Sequence, residues 1–114
     1  MSFSFGDVLL VPFPFTDQSG AKKRPAVVVS SDDLHRESLD IVIMAITTQA
    51  RPSVALQTTV SDWQAAGLLR PSVVKPVFAT IERSLVVKNI GKLQPTDLDA
   101  LQTTLRRTLA FENG

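Results

Sequence analysis

Apolar positions along the chain gather in short runs between polar, turn-rich segments, and only near the C-terminal end does their spacing become helical. After the turn pair Gly6-Asp7, the run Val8-Leu9-Leu10-Val11-Pro12-Phe13 predicts a buried strand ended by Pro12 and Pro14. A polar loop follows from Phe15 to Lys23, with turn-forming residues at Thr16-Asp17-Gln18-Ser19-Gly20. Arg24-Pro25 leads into Ala26-Val27-Val28-Val29-Ser30, whose β-branched side chains favour a second strand. Residues Ser31 to Asp40 are polar and charged and read as another loop. Ile41 to Thr48 predicts a third strand, apolar on both faces until its paired threonines. Val54 to Val60, Ser72 to Val77 and Leu85 to Ile90 are further strand candidates, with Gly67 and Gly91 marking connections. Several short strands at turn-marked spacing suggest a barrel or a sandwich.

Beyond Pro95 the period changes. Thr96 and Asp99 form a Thr-x-x-Asp variant of the capping box, and Leu98, Leu101, Leu105 and Leu109 recur at helical steps. A C-terminal helix laying that stripe on an otherwise β domain is expected, with Arg106 and Arg107 suited to its negative end.

Composition narrows the function classes. At 114 residues and 12.4 kDa, the chain is expected to form one domain spanning residues 1–114. Hydrophobic residues at 44% with charged residues at 20% exclude a disordered tail. No run reaches the roughly 18 apolar residues of a membrane helix, and no basic stretch precedes an apolar one near the start, so a cytoplasmic protein without membrane contact is expected. The absence of cysteine excludes disulfides and a thiol nucleophile, and a single histidine cannot build a histidine metal site. No metal or cofactor is therefore expected, and a metalloenzyme would have to rest on carboxylates alone. A net charge of +1 is far from the footprint of a general nucleic-acid coat, so any nucleic acid must meet a local patch.

Candidate chemistry is sparse. Lys22-Lys23-Arg24 concentrates positive charge, and Arg24 offers a planar fork for two oxygens of one phosphate. Taken alone, the cluster reads first as a solvated turn that keeps an edge strand from aggregating. Thr47, Thr48 and Gln49 close an apolar strand, either as donors to a phosphate or base edge or as ordinary strand-end residues. His35, in Asp32-Asp33-Leu34-His35-Arg36-Glu37, is a conceivable general base, although a solvated loop position is expected for it. Trp63, Phe13 and Phe15 are stacking platforms or core anchors. Glu82, beside Thr80 and Arg83, is the best-placed carboxylate, or else half of a surface pair with Arg83. The five glycines form no nucleotide-cradling loop.

The order of these features is more specific than any one of them. Gly6-Asp7-Val8-Leu9-Leu10-Val11, a polar Gly-containing loop, Lys23-Arg24-Pro25-Ala26-Val27-Val28-Val29-Ser30 and Ala45-Ile46-Thr47-Thr48-Gln49 together resemble the MazF/PemK family of toxin endoribonucleases. Ser72-Val73-Val74-Lys75, Thr80-Ile81-Glu82-Arg83-Ser84-Leu85, Ile90-Gly91-Lys92-Leu93 and the leucine-striped helix extend the likeness over nearly the whole chain.

The resemblance implies a mainly β fold, a compact SH3-like barrel with a C-terminal helix, forming a homodimer. It also implies a metal-independent, sequence-specific endoribonuclease toxin that cuts single-stranded RNA and is held inactive by a cognate antitoxin. The family's arginine before proline falls on Arg24 and its strand-end threonine on Thr47, the two expected catalytic residues. The loop carrying Phe15, Thr16, Gln18, Lys22 and Lys23, together with Thr48, Gln49 and Lys75, is expected to bind RNA. Some relatives carry an arginine and an aspartate where this chain has Lys75-Pro76-Val77, and others an Arg-Thr-Ile-Asp run where it has Ala79-Thr80-Ile81-Glu82. Lys75 replaces the first cation, Glu82 is the acid or base candidate, and the aspartate has no counterpart.

Two rival readings come from other classes. One is a non-catalytic toxin on the same fold, such as a relative of the CcdB gyrase poison. The other is a passive nucleic-acid-binding barrel, whose general affinity would be poor at this net charge. The pairing of Lys23-Arg24-Pro25 with Ile46-Thr47-Thr48 favours cleavage over both.

Overall fold

A computed structural model describes residues 2–13, 22–48 and 56–111. Its strands are β1 (Asp7–Phe13), β2 (Lys22–Val28), β3 (Asp40–Thr47), β4 (Thr58–Val60), β5 (Ser72–Glu82) and β6 (Lys88–Lys92). Two α-helices, α1 (Asp32–Glu37) and α2 (Pro95–Thr108), and one 3-10 turn (Arg83–Leu85) complete the described elements. The strands form one antiparallel sheet in the order β4-β5-β3-β2-β1-β6.

Both faces of this sheet are apolar, which explains why the β1 and β3 runs lack alternation. One face carries Val8, Val27, Met44, Ile46 and Val74 against Leu101 and Leu105 of α2. The other carries Leu9, Val11, Phe13, Ala26, Val28, Ile41 and Ile43 with Phe3. The sheet curls into a half-barrel, and its two edges are joined by backbone contact. Gly67, at φ +86°, follows β4, and a Cβ there would lie 1.9 Å from the Ile90 carbonyl oxygen of β6. A Cβ on Gly91 would likewise lie 2.2 Å from the Ala66 carbonyl oxygen. Only glycine on both sides permits this approach.

Several boundaries differ from expectation. β1 runs through Pro12 to Phe13, because β6 pairs with β1 only as far as Leu10 and the ring can face the side without a described ladder partner. Lys22, Lys23 and Arg24 belong to β2 and do not form a preceding turn. The segment read as a loop from Ser31 contains α1, started by the Ser31 hydroxyl accepting from the Leu34 N–H at 3.2 Å, with Asp32 and Asp33 in the first turn. Six residues without an apolar stripe give no helical period to detect. β4 begins only at Thr58, β5 runs on to Glu82, and a short 3-10 turn, Arg83–Leu85, delays β6 to Lys88.

α2 starts at Pro95, whose missing N–H is harmless at a first helical position. Gln94 precedes it without a side-chain cap, so the Thr96 and Asp99 box is not formed. Leu101 and Leu105 are buried and Leu98 packs beside them, whereas Leu109 lies past the helix and is 43% exposed. Among the described residues no helix is long and apolar enough to cross a membrane.

Candidate active site

β2 and β3 pair with Ala26 opposite Ala45, Val27 opposite Met44 and Val28 opposite Ile43. Continuing this register toward the start of β2 sets Arg24 opposite Thr47. Directly opposed residues share a face, with Cβ atoms about 5 Å apart. That face is core along Val28 and Ala26 and becomes polar at Arg24, which is exposed and lies beyond the last β2–β3 ladder pair, Ala26 with Ala45.

Arg24 and Thr47 line one recess of about 80 Å³ with Phe13, Ala45, Ile46, Lys75 and Val77. Phe13 is buried and forms an apolar wall, while Arg24 is exposed and Thr47 and Lys75 are half-buried. Among the described residues, the lining holds two cations, one hydroxyl and no carboxylate. Positive charge beside a hydroxyl, in a concavity with apolar walls, suits an anionic group with several acceptor oxygens.

Lys75 reaches the recess through an irregularity in β5. Val74 lies opposite Ile46 and Phe78 opposite Met44, so residues 75–77 stand against Ala45 alone. Pro76 sits in the middle of this arch and has no N–H to give to a ladder.

Other expected site residues fall elsewhere. Lys22, opposite Phe13, shares the Arg24 side of β2, whereas Lys23, opposite Pro12, projects to the other face. Thr48 also turns to that other face, where it lines an apolar groove of about 320 Å³ with Leu10, Pro25, Leu68, Arg70 and Ile90. Phe15, Thr16, Gln18 and Gln49 lie outside the described residues. Glu82 is not brought to Arg24 and Thr47 within the chain. It lies opposite Asp40 at the far end of β5, roughly 20 Å of strand from Lys75. It is exposed and accepts from the Ser84 hydroxyl at 3.1 Å.

Two side chains, His35 and Arg83, have structural work that the sequence pattern concealed, and Trp63 takes the core-anchor role of its two expected ones. His35 is not a solvated loop residue: its side chain is only 7% exposed. Nδ1 lies 2.9 Å from the Phe3 carbonyl oxygen and Nε2 2.6 Å from the Ser30 hydroxyl, which accepts from the Val42 N–H at 3.0 Å. A carbonyl only accepts, so Nδ1 carries the proton. Arg83 does not pair with Glu82. Its guanidinium donates to the carbonyls of His35 and Ser38 at 2.6 and 2.8 Å, satisfying the C-terminal end of α1. Trp63 packs on the core face that α2 covers. Among the described residues, no three carboxylate, imidazole or thiol groups gather to hold a metal ion.

Missed altogether was Asp97, which is 1% exposed and accepts the N–H groups of Ser61 and Asp62 at 3.0 and 2.9 Å. Its partners are backbone groups more than thirty residues away, for which the sequence carries no signal. Arg70, on the rim of the apolar groove, was also unforeseen.

Comparison with known proteins places this arrangement among relatives. The family described as PemK-like, MazF-like toxin of type II toxin-antitoxin system matches residues 4–109. The fold is similar to that of an endoribonuclease from Mycobacterial species, with a TM-score of 0.76 and 18% identity, covering 100% of this chain and 97% of the other. It is also similar to the Mycobacterium tuberculosis toxin MazF-mt6, with a TM-score of 0.75 and 20% identity, covering 94% and 99%. A structure of MazE-MazF from Deinococcus radiodurans aligns with a TM-score of 0.72 and 18% identity, covering 97% and 98%. Comparison with curated proteins finds no match. With the family matched over nearly its whole length and the fold shared end to end, this chain belongs to the PemK-like, MazF-like toxins of type II toxin–antitoxin systems.

Proposed function

We propose that the chain is a metal-independent endoribonuclease toxin that cuts single-stranded RNA at short sequences. It works as a single-domain protein in the cytoplasm, as a homodimer restrained by a cognate antitoxin. Family membership supports the toxin role, and similar folds include one named an endoribonuclease and another in complex with its cognate antitoxin. The observation that carries the catalytic reading is the shared recess of Arg24, Thr47 and Lys75.

In the reaction proposed, the 2′-oxygen of a ribose attacks the adjacent phosphorus as its proton leaves. The bond from phosphorus to the 5′-oxygen breaks, and that oxygen takes up a proton. The products are a 2′,3′-cyclic phosphate and a 5′-hydroxyl end. Negative charge grows on the nonbridging oxygens in the transition state. The Arg24 guanidinium donates to two of them and the Thr47 hydroxyl to one, while the Lys75 ammonium adds a second positive charge. The cationic strand end at Lys22 and Lys23 guides the polyanion, with Phe15, Thr16, Gln18, Thr48 and Gln49 as further RNA contacts. No step calls for Glu82.

The test is incubation of the purified chain with a long mixed-sequence RNA in excess chelator, followed by mapping of the cut ends. Cuts at recurrent short motifs ending in cyclic phosphate are expected, and a folded Arg24→Ala protein should be inactive. Intact RNA would favour a non-catalytic toxin on this fold, and cutting only with added divalent ions would overturn the metal-free chemistry.

A further inference from the structure

We infer that the arch of residues 75–77 is the positioning device of the recess, with Pro76 as the residue that maintains it; this rests on the nuclease reading above. Between the pairs formed by Ile46 with Val74 and Met44 with Phe78, β3 has one residue and β5 has three. The insertion is therefore two residues, and its parity matters. A single extra residue would move every following side chain of β5 to the opposite face. Two extra residues leave the alternation intact, so Val74 and Phe78 both pack on the core face covered by α2. On the other side, Val77, Ala79 and Ile81 all pack with the Leu9, Val11 and Phe13 cluster.

Folding gains nothing evident from this insertion, because a plain ladder from Val74 onward would bury the same two sets of side chains. The local shape does change. Where three residues span the length of one, the backbone must bow away from β3, which leaves Ala45 beneath the arch. Ala45 and its neighbour Ala26 are the smallest side chains available on that face, so no bulk refills the space. Lys75 and Val77, the two feet of the arch, line the recess with Ala45, Arg24 and Thr47. Pro76 stabilises the bow, since it has no N–H for a regular ladder and its ring limits the backbone angles. Thus Pro76 acts through Lys75, holding the ammonium beside the guanidinium as a second cation on one phosphate.

Parity supplies the experiment. Deleting Pro76 and Val77 together restores an even ladder, with Lys75 opposite Ala45, without moving any later side chain to the wrong face. The variant should fold, with an unchanged circular dichroism spectrum and a cooperative melt, and its kcat on a motif-containing RNA should fall about a hundredfold, the scale of one misplaced charge donor. KM should rise by no more than about tenfold, because contacts outside the recess also hold the RNA, so the larger loss falls on kcat. Pro76→Ala, a milder change, should lower kcat severalfold, and Lys75→Arg should retain far more activity than Lys75→Met.

A folded deletion variant that cuts as fast as the native chain overturns the inference and leaves the nuclease reading intact. If the native chain cuts no RNA, the nuclease reading fails. The arch is then tested by titrating a 2′-deoxy-substituted, uncleavable RNA of mixed sequence. Weaker binding by the deletion variant supports a phosphate-holding arch, and equal or absent binding by both proteins overturns it. If the deletion variant does not fold, the folded Pro76→Ala and Lys75→Met proteins decide by the same kcat and KM readings.

Discussion

Arg24 and Thr47 come from strands joined through α1, yet the β2–β3 register extended past Ala26 and Ala45 sets them opposite each other, and both line one recess. Arg24→Ala removes the planar fork of that recess and should lower kcat at least a hundredfold, since losing one preorganised donor costs on the order of 3 kcal/mol in the transition state. Arg24→Lys keeps the charge without the fork and should recover only part of the loss. For Thr47, serine should be tolerated and valine should not. Single-turnover cleavage of a mapped RNA, with melting curves as a fold control, measures all four variants. An active, folded Arg24→Ala protein would remove this residue from the mechanism.

Ala45 offers a test by volume. Its side chain lies between Arg24, Thr47 and Lys75, and the recess it borders is only about 80 Å³. Ala45→Leu would place three more carbons in that space while contacting Val77 and Phe13. Overpacking a filled core costs about 1–3 kcal/mol, but here the space is open, so the stability change should fall below that range. Cleavage should drop more than tenfold because a phosphate no longer fits. Comparing the melting temperature with kcat separates blockage from misfolding, and an undiminished kcat would place the phosphate elsewhere.

His35 should behave as a structural residue. Its two ring nitrogens are committed to the Phe3 carbonyl and the Ser30 hydroxyl, and this cluster ties the N-terminal segment to α1 and β3. His35→Ala leaves a buried carbonyl without its donor and opens a small cavity, which should cost about 2–3 kcal/mol. The rate per folded molecule should be unchanged. Denaturant melts and initial rates on the same sample check this, and a large fall in kcat with normal stability would reinstate His35 as an acid–base group.

What could be read in advance follows from where the determining physics lies. Strand cores such as Leu9-Leu10-Val11 and Ile41-Val42-Ile43 announce themselves through consecutive apolar residues, and Leu101 and Leu105 announce the helix through their period. The likeness of ordered motifs picked out Arg24, Thr47 and Lys75, which the fold gathers in one recess. Taken alone, Arg24 reads as part of a solvated turn and Thr47 as an ordinary strand-end residue. Features that depend on distant partners were hidden. The burial of His35 comes from Phe3, 32 residues away, and the role of Arg83 comes from carbonyls at the end of α1. Glu82 lies at the end of β5 far from Lys75, because β5 is nearly twice as long as its apolar part suggested.

Asp97 gives the clearest expected change in stability. From the first turn of α2 its carboxylate accepts two backbone N–H groups, of Ser61 and Asp62, where the chain turns after β4. A carboxylate near a helix N-terminus is also favoured by the helix dipole. Asp97→Ala leaves both part-buried N–H groups without their acceptor, and each unsatisfied group costs about 1–3 kcal/mol, so a total loss of about 2–4 kcal/mol is expected after partial hydration. Asp97→Asn retains one acceptor oxygen and should lose roughly half as much. Because the recess is built from β1, β2, β3 and β5, cleavage per folded molecule should not change. Hydrogen exchange at the Ser61 and Asp62 amides, measured with urea melts, locates the loss: both amides should exchange faster in Asp97→Ala, and unchanged protection would show that other groups hold this turn to the helix.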